Sequence, residues 1–246
     1  MSGYSNKTGS SFSDWFHRTF THKSQWERYD LKNRARIGIM KNFGPCLVVA
    51  LVLAVMTSWF YYLYDPMAIL FSGWDTFRSV HQSGLITVVI MCLLTAFLFG
   101  PLEVGCRRFF IENERGQQAD LKEIAYVFQN PNYLNQMLTM LVRNLLIFLG
   151  TVLFVVPGLY LSYSFRMVPY LLADQPGLKL TDALSLSNDM MKGQKWDAFL
   201  LDLSFWPWML ASMMTFGLAG LLYGWPYRQA AAAELYLELD REKYGG

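Results

Sequence analysis

The stretch "SNDMMKGQKWDAFLLDLSFWPWML", Ser187 to Leu210, begins polar and basic and ends almost wholly apolar. Asp197 and Asp202 stand at the changeover. Two readings compete: a site built on two carboxylates, or a chain entering a lipid bilayer. A spacing of five turns the carboxylates to different sides of a helix, which disfavours an acid–base pair. Trp196 is a residue type that anchors at the membrane–water boundary, and Lys192 and Lys195 flank it where lipid phosphates would lie. Asp197 then falls in the headgroup zone, and Asp202 about 7–8 Å further along the helix. The stretch reads as membrane entry. Asp202 remains a functional candidate, because a carboxylate inside a membrane is costly to keep.

Composition agrees. Of 246 residues, 53% are hydrophobic and only 16% are charged, against about 25% charged in a typical soluble domain. The net charge of +2 is small. Cys46, Cys92 and Cys106 lack metal-ligand spacing and read as packing residues rather than a disulfide framework. About 40 polar residues precede the first apolar run, which argues against a cleavable signal peptide. No span alternates with period two, so a β-barrel is not expected.

A spanning helix needs about 20 apolar residues. Two runs meet this directly, 43–64 and 84–104. A longer block splits at "VVPGLY", where Pro157 and Gly158 suggest a tight turn, into 138–156 and 157–173. The last block splits at "FGLAG", Phe216 to Gly220, into 198–216 and 218–237. The expected fold is therefore all-α: six transmembrane helices as three hairpins with cytoplasmic interfacial helices, behind an amphipathic cytoplasmic segment over residues 1–42. Lys and Arg flank alternate ends of these spans. Arg28, Lys32, Arg34, Arg36 and Lys41 precede the first, Arg107, Arg108, Arg115 and Lys122 follow the second, and both proposed turns carry none. By the excess of basic residues on the cytoplasmic side, both termini are expected in the cytoplasm of a multi-pass cell-membrane protein.

The hairpins also look repeated. Each follows a polar helix that stops at "MKNFGP", "FQNPN" or "MKGQK", and each second helix carries a proline, read as Pro101, Pro157 and Pro226. In the third unit, Thr181 is expected to cap a surface helix that Gly193 ends, with Leu184, Leu186, Met190 and Met191 on its apolar face.

These residues carry a resemblance. "ALSLSNDMMKGQKWDAFLLDLSFWPWML", followed by "GLLYGWPYRQAAAAELYLEL", is similar to the C-terminal signature of the domain of unknown function 975 family of bacterial integral membrane proteins. Ser187, Met190, Met191, Lys192, Gly193, Ser204, Phe205, Trp208, Pro226 and Tyr227 fit the pattern; Leu235–Tyr236 stands where the family usually has Phe-Tyr. The resemblance covers about the last 65 residues and implies a polytopic membrane protein, with no activity attached. A more distant likeness is to the membrane domain of some glycerophosphodiesterases.

No phosphate loop, zinc pattern, nucleophile elbow or kinase set occurs. His17 and His22 lie among Trp15, Phe16, Phe20 and Trp26, as in a surface-lying amphipathic helix, and His81 reads as a solvated interface residue. Glu103 and Arg107 form an i,i+4 pair expected at the interface, and Arg143 is expected to snorkel to headgroups. Arg166, Asp202 and Glu234 form a candidate polar cluster within the bundle, weighed against the simpler reading that each faces headgroups or cytoplasm. Lys192 and Lys195 are the candidate headgroup contacts. The expected role is non-enzymatic, through membrane lipids or an unidentified protein partner, with no cofactor, metal or nucleic acid. The alternative is a small transporter or lipid-moving protein.

Overall fold

A computed structural model describes residues 26–63, 93–117 and 119–244. Residues before Trp26, the segment containing Arg78 and His81, and the start of the second expected span lie outside the described residues. Among the described residues every regular element is helical. The all-α expectation holds. Among the described residues one helix, Tyr133–Leu153, is long and apolar enough to cross a membrane by itself.

Helix α1 (Arg28–Lys41) buries Leu31, Ala35, Gly38 and Ile39, an i, i+4, i+7, i+8 stripe, against the rest of the protein. Asp30 near its start and Lys41 at its end suit the helix dipole. At Asn42 the chain turns through 109° into α2 (Phe43–Leu63). The Asn42 amide pins this corner by donating to Asn113 Oδ1 and to the Ala119 carbonyl, at 3.2 and 3.1 Å. Helix α3 (Gly100–Glu114) packs back against α2. A wide π-type turn, Thr95–Phe99, leads into it.

A short turn of 3-10 helix, Leu121–Ile124, and α4 (Tyr126–Gln129) lead to the second hairpin, α5 (Tyr133–Leu153) and α6 (Val155–Ser164). The reversal occurs at Phe154, whose backbone is extended at φ −158° and ψ 144°. The turn thus comes just before the expected Pro157–Gly158 pair. Pro157 lies in the first turn of α6, where a missing N–H costs nothing because no carbonyl precedes it within the helix. Gly158 serves contact rather than turning. A Cβ there would overlap Thr151 Oγ1 and come within 2.6 Å of Thr151 Cα.

The chain then breaks at Phe165–Met167 before α7 (Val168–Asp174). Helix α8 spans Leu180–Met190, one residue ahead of the expected cap; Thr181 Oγ1 meets Asp182 Oδ1 at 3.3 Å instead of a free backbone N–H. Ala183, Ser187, Met190 and Met191 are buried, so this helix faces protein. Gly193, at φ 81°, reverses the chain into α9 (Lys195–Leu203) and α10 (Trp206–Met214). The next reversal uses Phe216 at φ 52° and Gly217 at φ 91°, within the expected "FGLAG" turn. A second wide turn, Gly220–Gly224, opens α11 (Trp225–Tyr244).

The repeated proline needs correction. Pro157 sits at a hairpin tip, whereas Pro101, Pro169 and Pro226 each follow a break or wide turn in the second half of a hairpin. A proline inside a helix removes one N–H and crowds the carbonyl four residues back, so the preceding turn widens or breaks. Below these breaks α1, α3, α7 and α11 pack as one body. Arg115 holds Asp174 at 2.8 and 2.9 Å, Tyr236 donates to the same carboxylate at 3.0 Å, and Tyr170 stacks on Tyr236. Burial alone would raise Asp174, but Arg115 and Tyr236 hold its carboxyl below the usual range.

Gly158→Ala should lower the melting temperature in detergent more than Gly150→Ala. A Cβ on Gly150 meets the flexible end of Leu161 at 2.7 Å, whereas the Thr151 backbone opposite Gly158 has to move. The cost at Gly158 should be about 1–3 kcal/mol. Equal losses would show that the hairpin is not closed at this point.

Candidate functional site

The proline breaks bring polar side chains of α3, α5, α9 and α11 together with the Phe165–Met167 break. Arg166, in the middle of the Phe165–Met167 break, forms a two-pronged bond with Asp202 of α9 at 2.6 and 3.0 Å. The Tyr163 hydroxyl donates to Asp202 at 3.1 Å, and Arg228 Nε of α11 lies 3.5 Å from it. A second group forms on α3 and α5. Glu103 lies 3.1 Å from Arg107 and 3.7 Å from Arg143. Arg107 also donates to the Tyr170 hydroxyl at 3.1 Å and to the Gln229 carboxamide. Each carboxylate is thus shared by two guanidinium groups. Charges removed from water need such partners to stay ionised.

The same side chains mend the backbone. Pro169 has no N–H to give the carbonyl of Phe165, four residues back; that carbonyl takes a long bond from Val168 N at 3.4 Å and a shorter one from Arg143 Nε at 3.0 Å. Pro101 leaves the carbonyl of Phe97 in the same position; the Tyr133 hydroxyl donates to it at 2.5 Å. Both mending residues lie on α5. Ser187 completes the Phe165–Met167 break, accepting from Met167 N at 3.2 Å and donating to the Ser164 carbonyl at 2.9 Å. In the third hairpin Lys32 of α1 reaches the Ser204 carbonyl and hydroxyl at 3.3 and 3.2 Å, with its ammonium over the Phe205 ring.

Residues 151–243 match the model of the family described as Protein of unknown function (DUF975). No curated protein and no solved structure matches the chain. The more distant likeness to glycerophosphodiesterase membrane domains finds no support in these comparisons.

The DUF975 signature residues sit at joints. Ser187 mends one break, Met191 is fully buried, and Gly193 makes the reversal into α9. Ser204 and Phe205 form the α9–α10 break that receives Lys32. Trp208 packs against Tyr223 and Tyr227, with ring centroids 4.8 and 6.5 Å away, and Pro226 opens α11. Helix α1 and the Trp26 just ahead of it precede the matched residues yet dock on them: Lys32 at Ser204, Arg34 at Glu238 and Trp26 Nε1 on Gln194.

Of the candidate cluster, Arg166 and Asp202 meet, and Glu234 does not join them. Glu234 lies 3.1 Å from Arg34 in the lower body. Nearby, the Glu114 carboxyl is pushed up to about 8 by burial and by the Glu234 carboxylate. Lys192 is exposed. Lys195 is buried, with its Nζ 3.2 Å from the Tyr160 hydroxyl and over that ring. Among the described residues no three His, Cys, Asp or Glu side chains gather as metal ligands. Tyr170, Gln229 and Lys32 were not singled out by the sequence reading. One signal for Tyr170 was present: "VPY" at Val168–Tyr170 echoes "WPY" at Trp225–Tyr227.

Arg166→Leu and Asp202→Leu should each destabilise the detergent-solubilised protein by about 3 kcal/mol, because each strands a buried charge. The double variant should lose clearly less than the sum. Additive losses in thermal unfolding would show that the pair does not act as a unit.

Proposed function

We propose that the chain is a non-enzymatic, six-span integral protein of the bacterial cell membrane that works through lipids or a protein partner. Its three hairpins pass up and back, with both termini cytoplasmic. The supporting observation is the exposure of large apolar side chains at uncharged hairpin ends. Phe154 is 70% exposed, Met214 85% and Phe216 100%. Residues 144–165 and 203–227, which surround these tips, contain no Asp, Glu, Lys or Arg. Such surface is costly in water and suits hydrocarbon. The opposite ends carry the ion pairs and the basic flanks, which favours a cytoplasmic lower body.

The proline breaks fit this reading. A span of α6 with α7, or of α9 with α10, is two short helices, and a broken helix is tolerated in a membrane when neighbours satisfy the freed backbone. A small transporter or lipid-moving protein is the second reading. It draws on the Arg166–Asp202 pair and on the repeated hairpins, since repeats with broken helices are common in transporters.

Alkaline carbonate should leave the full chain in the membrane pellet. On a cysteine-free background, Phe216→Cys should react with an impermeant maleimide in whole cells, and Glu242→Cys should react only after lysis. Labelling of Glu242→Cys from outside, or release by carbonate, would end this proposal.

A further inference from the structure

The polar centre carries more positive than negative charge. Arg107 and Arg143 share Glu103, and Arg166 and Arg228 share Asp202. Each three-membered group is left with one unit of positive charge. The Arg107, Arg143 and Arg166 side chains are only 15–16% exposed, so water screens them weakly. The other groups they meet are neutral: the Tyr170 hydroxyl, the Asn144 and Gln229 amides and the Phe165 carbonyl. Arg107 Nε is buried without a hydrogen-bond partner. In a bilayer an uncompensated arginine is expensive, and a nearby anion would lower that cost. Arg228 differs from the other three. Its side chain is 51% exposed and lies 3.5 Å from Asp202, so it forms the accessible edge of the centre.

We infer that the Arg228 edge of this arginine-rich centre binds a phosphate group, as carried by an anionic lipid headgroup or a soluble phosphate ester. The inference rests on the membrane reading above and gives it a ligand class. Guanidinium is suited to the task because its planar donors match two phosphate oxygens at once. Arg228 is also loosely held by its carboxylate: its closest approach to Asp202 is Nε at 3.5 Å. Lys32 adds a further cation on the α1 side. Its ammonium contacts Ser204 and lies 4.8 and 5.9 Å from the Phe205 and Tyr227 rings rather than beside a carboxylate. Asp202, held by Arg166, keeps Arg228 oriented and prevents the site from being a bare basic patch.

The test is thermal unfolding of the full chain in neutral detergent, followed by tryptophan fluorescence. The additives are phosphatidylglycerol, phosphatidylcholine and glycerol 3-phosphate. Phosphatidylglycerol should raise the melting temperature with a saturable dependence, and phosphatidylcholine should not. Arg228→Gln should weaken the apparent affinity at least about tenfold, as loss of a two-pronged phosphate contact does. Arg228→Lys should recover part of it. Lys179→Gln, a change at an exposed lysine, should bind as the unaltered protein does. Saturable stabilisation by glycerol 3-phosphate as well would assign the site to a soluble phosphate ester; stabilisation by the lipid alone would assign it to a headgroup. If neither phosphate compound stabilises the unaltered protein, or if Lys179→Gln and Arg228→Gln lose affinity equally, the site is refuted. The first of these outcomes holds even if Arg228→Gln fails to fold. Carbonate-resistant protein without a phosphate response would refute this site and leave the membrane reading standing.

Discussion

A proline inside a helix leaves a carbonyl four residues back without its N–H, and much of this structure follows from how those carbonyls are answered. Phe165 O is taken by Arg143 and Phe97 O by Tyr133, both from α5. Water would satisfy such groups cheaply at a protein surface. In hydrocarbon a partner has to come from the protein, and a buried unmade bond costs about 1–3 kcal/mol. Helix α5 is the one uninterrupted helix of the second hairpin, so it is a rigid element from which the breaks on either side are reached. Ser187 does the same from α8, meeting one donor and one acceptor of the Phe165–Met167 break.

Charge enters with the mending. Arginine reaches a carbonyl through one nitrogen and retains donors for other partners. Arg143 bonds Phe165 O and still lies 3.7 Å from Glu103. Arg166 projects from the break itself, where the chain is free of helix geometry, and finds Asp202 on α9. The result is a polar layer between the two apolar, uncharged tips at Phe154 and Phe216 and a packed lower body. The DUF975 signature fits this arrangement, because Ser187, Gly193, Ser204 and Phe205 are positions where helices break, reverse or are mended. Helix α1 belongs to the same scheme although it precedes the matched residues, since Lys32 supplies the bond at Ser204.

The helical class and the reversals near Phe154 and Phe216 were legible because they depend on local chemistry. Apolar length and the Gly217 turn can be read directly along the chain. The Arg166–Asp202 pair was legible as well, because two charges in apolar surroundings need each other. Glu234 misled because its surroundings look apolar along the sequence, "AAAAELYL", while in space that stretch packs under α1 and meets Arg34. Lys195 differed for a related reason: the reversal at Gly193 turns it inward onto Tyr160, whereas Lys192 stays outside. Pro157 was mistaken for the repeated proline because all four prolines stand in a first helical turn, and only the chain ahead of them differs: it reverses at Phe154 before Pro157, and it passes a break or wide turn before Pro101, Pro169 and Pro226. The role of Arg143 was hidden too, since it depends on a carbonyl of a neighbouring helix that lacks the N–H Pro169 cannot supply and has only a long bond from Val168 N.

The dependence of the Phe165 carbonyl on Arg143 is open to direct measurement by thermal unfolding of Arg143→Met with and without Pro169→Ala. Alanine at 169 restores an N–H that can bond Phe165 O. The Glu103 contact and the charge of Arg143 are lost equally in both backgrounds, so the difference between backgrounds isolates the carbonyl bond. If the arginine mends the break, Arg143→Met should cost about 1 kcal/mol less in the Pro169→Ala protein than in the protein with Pro169. The same cost in both backgrounds would contradict it.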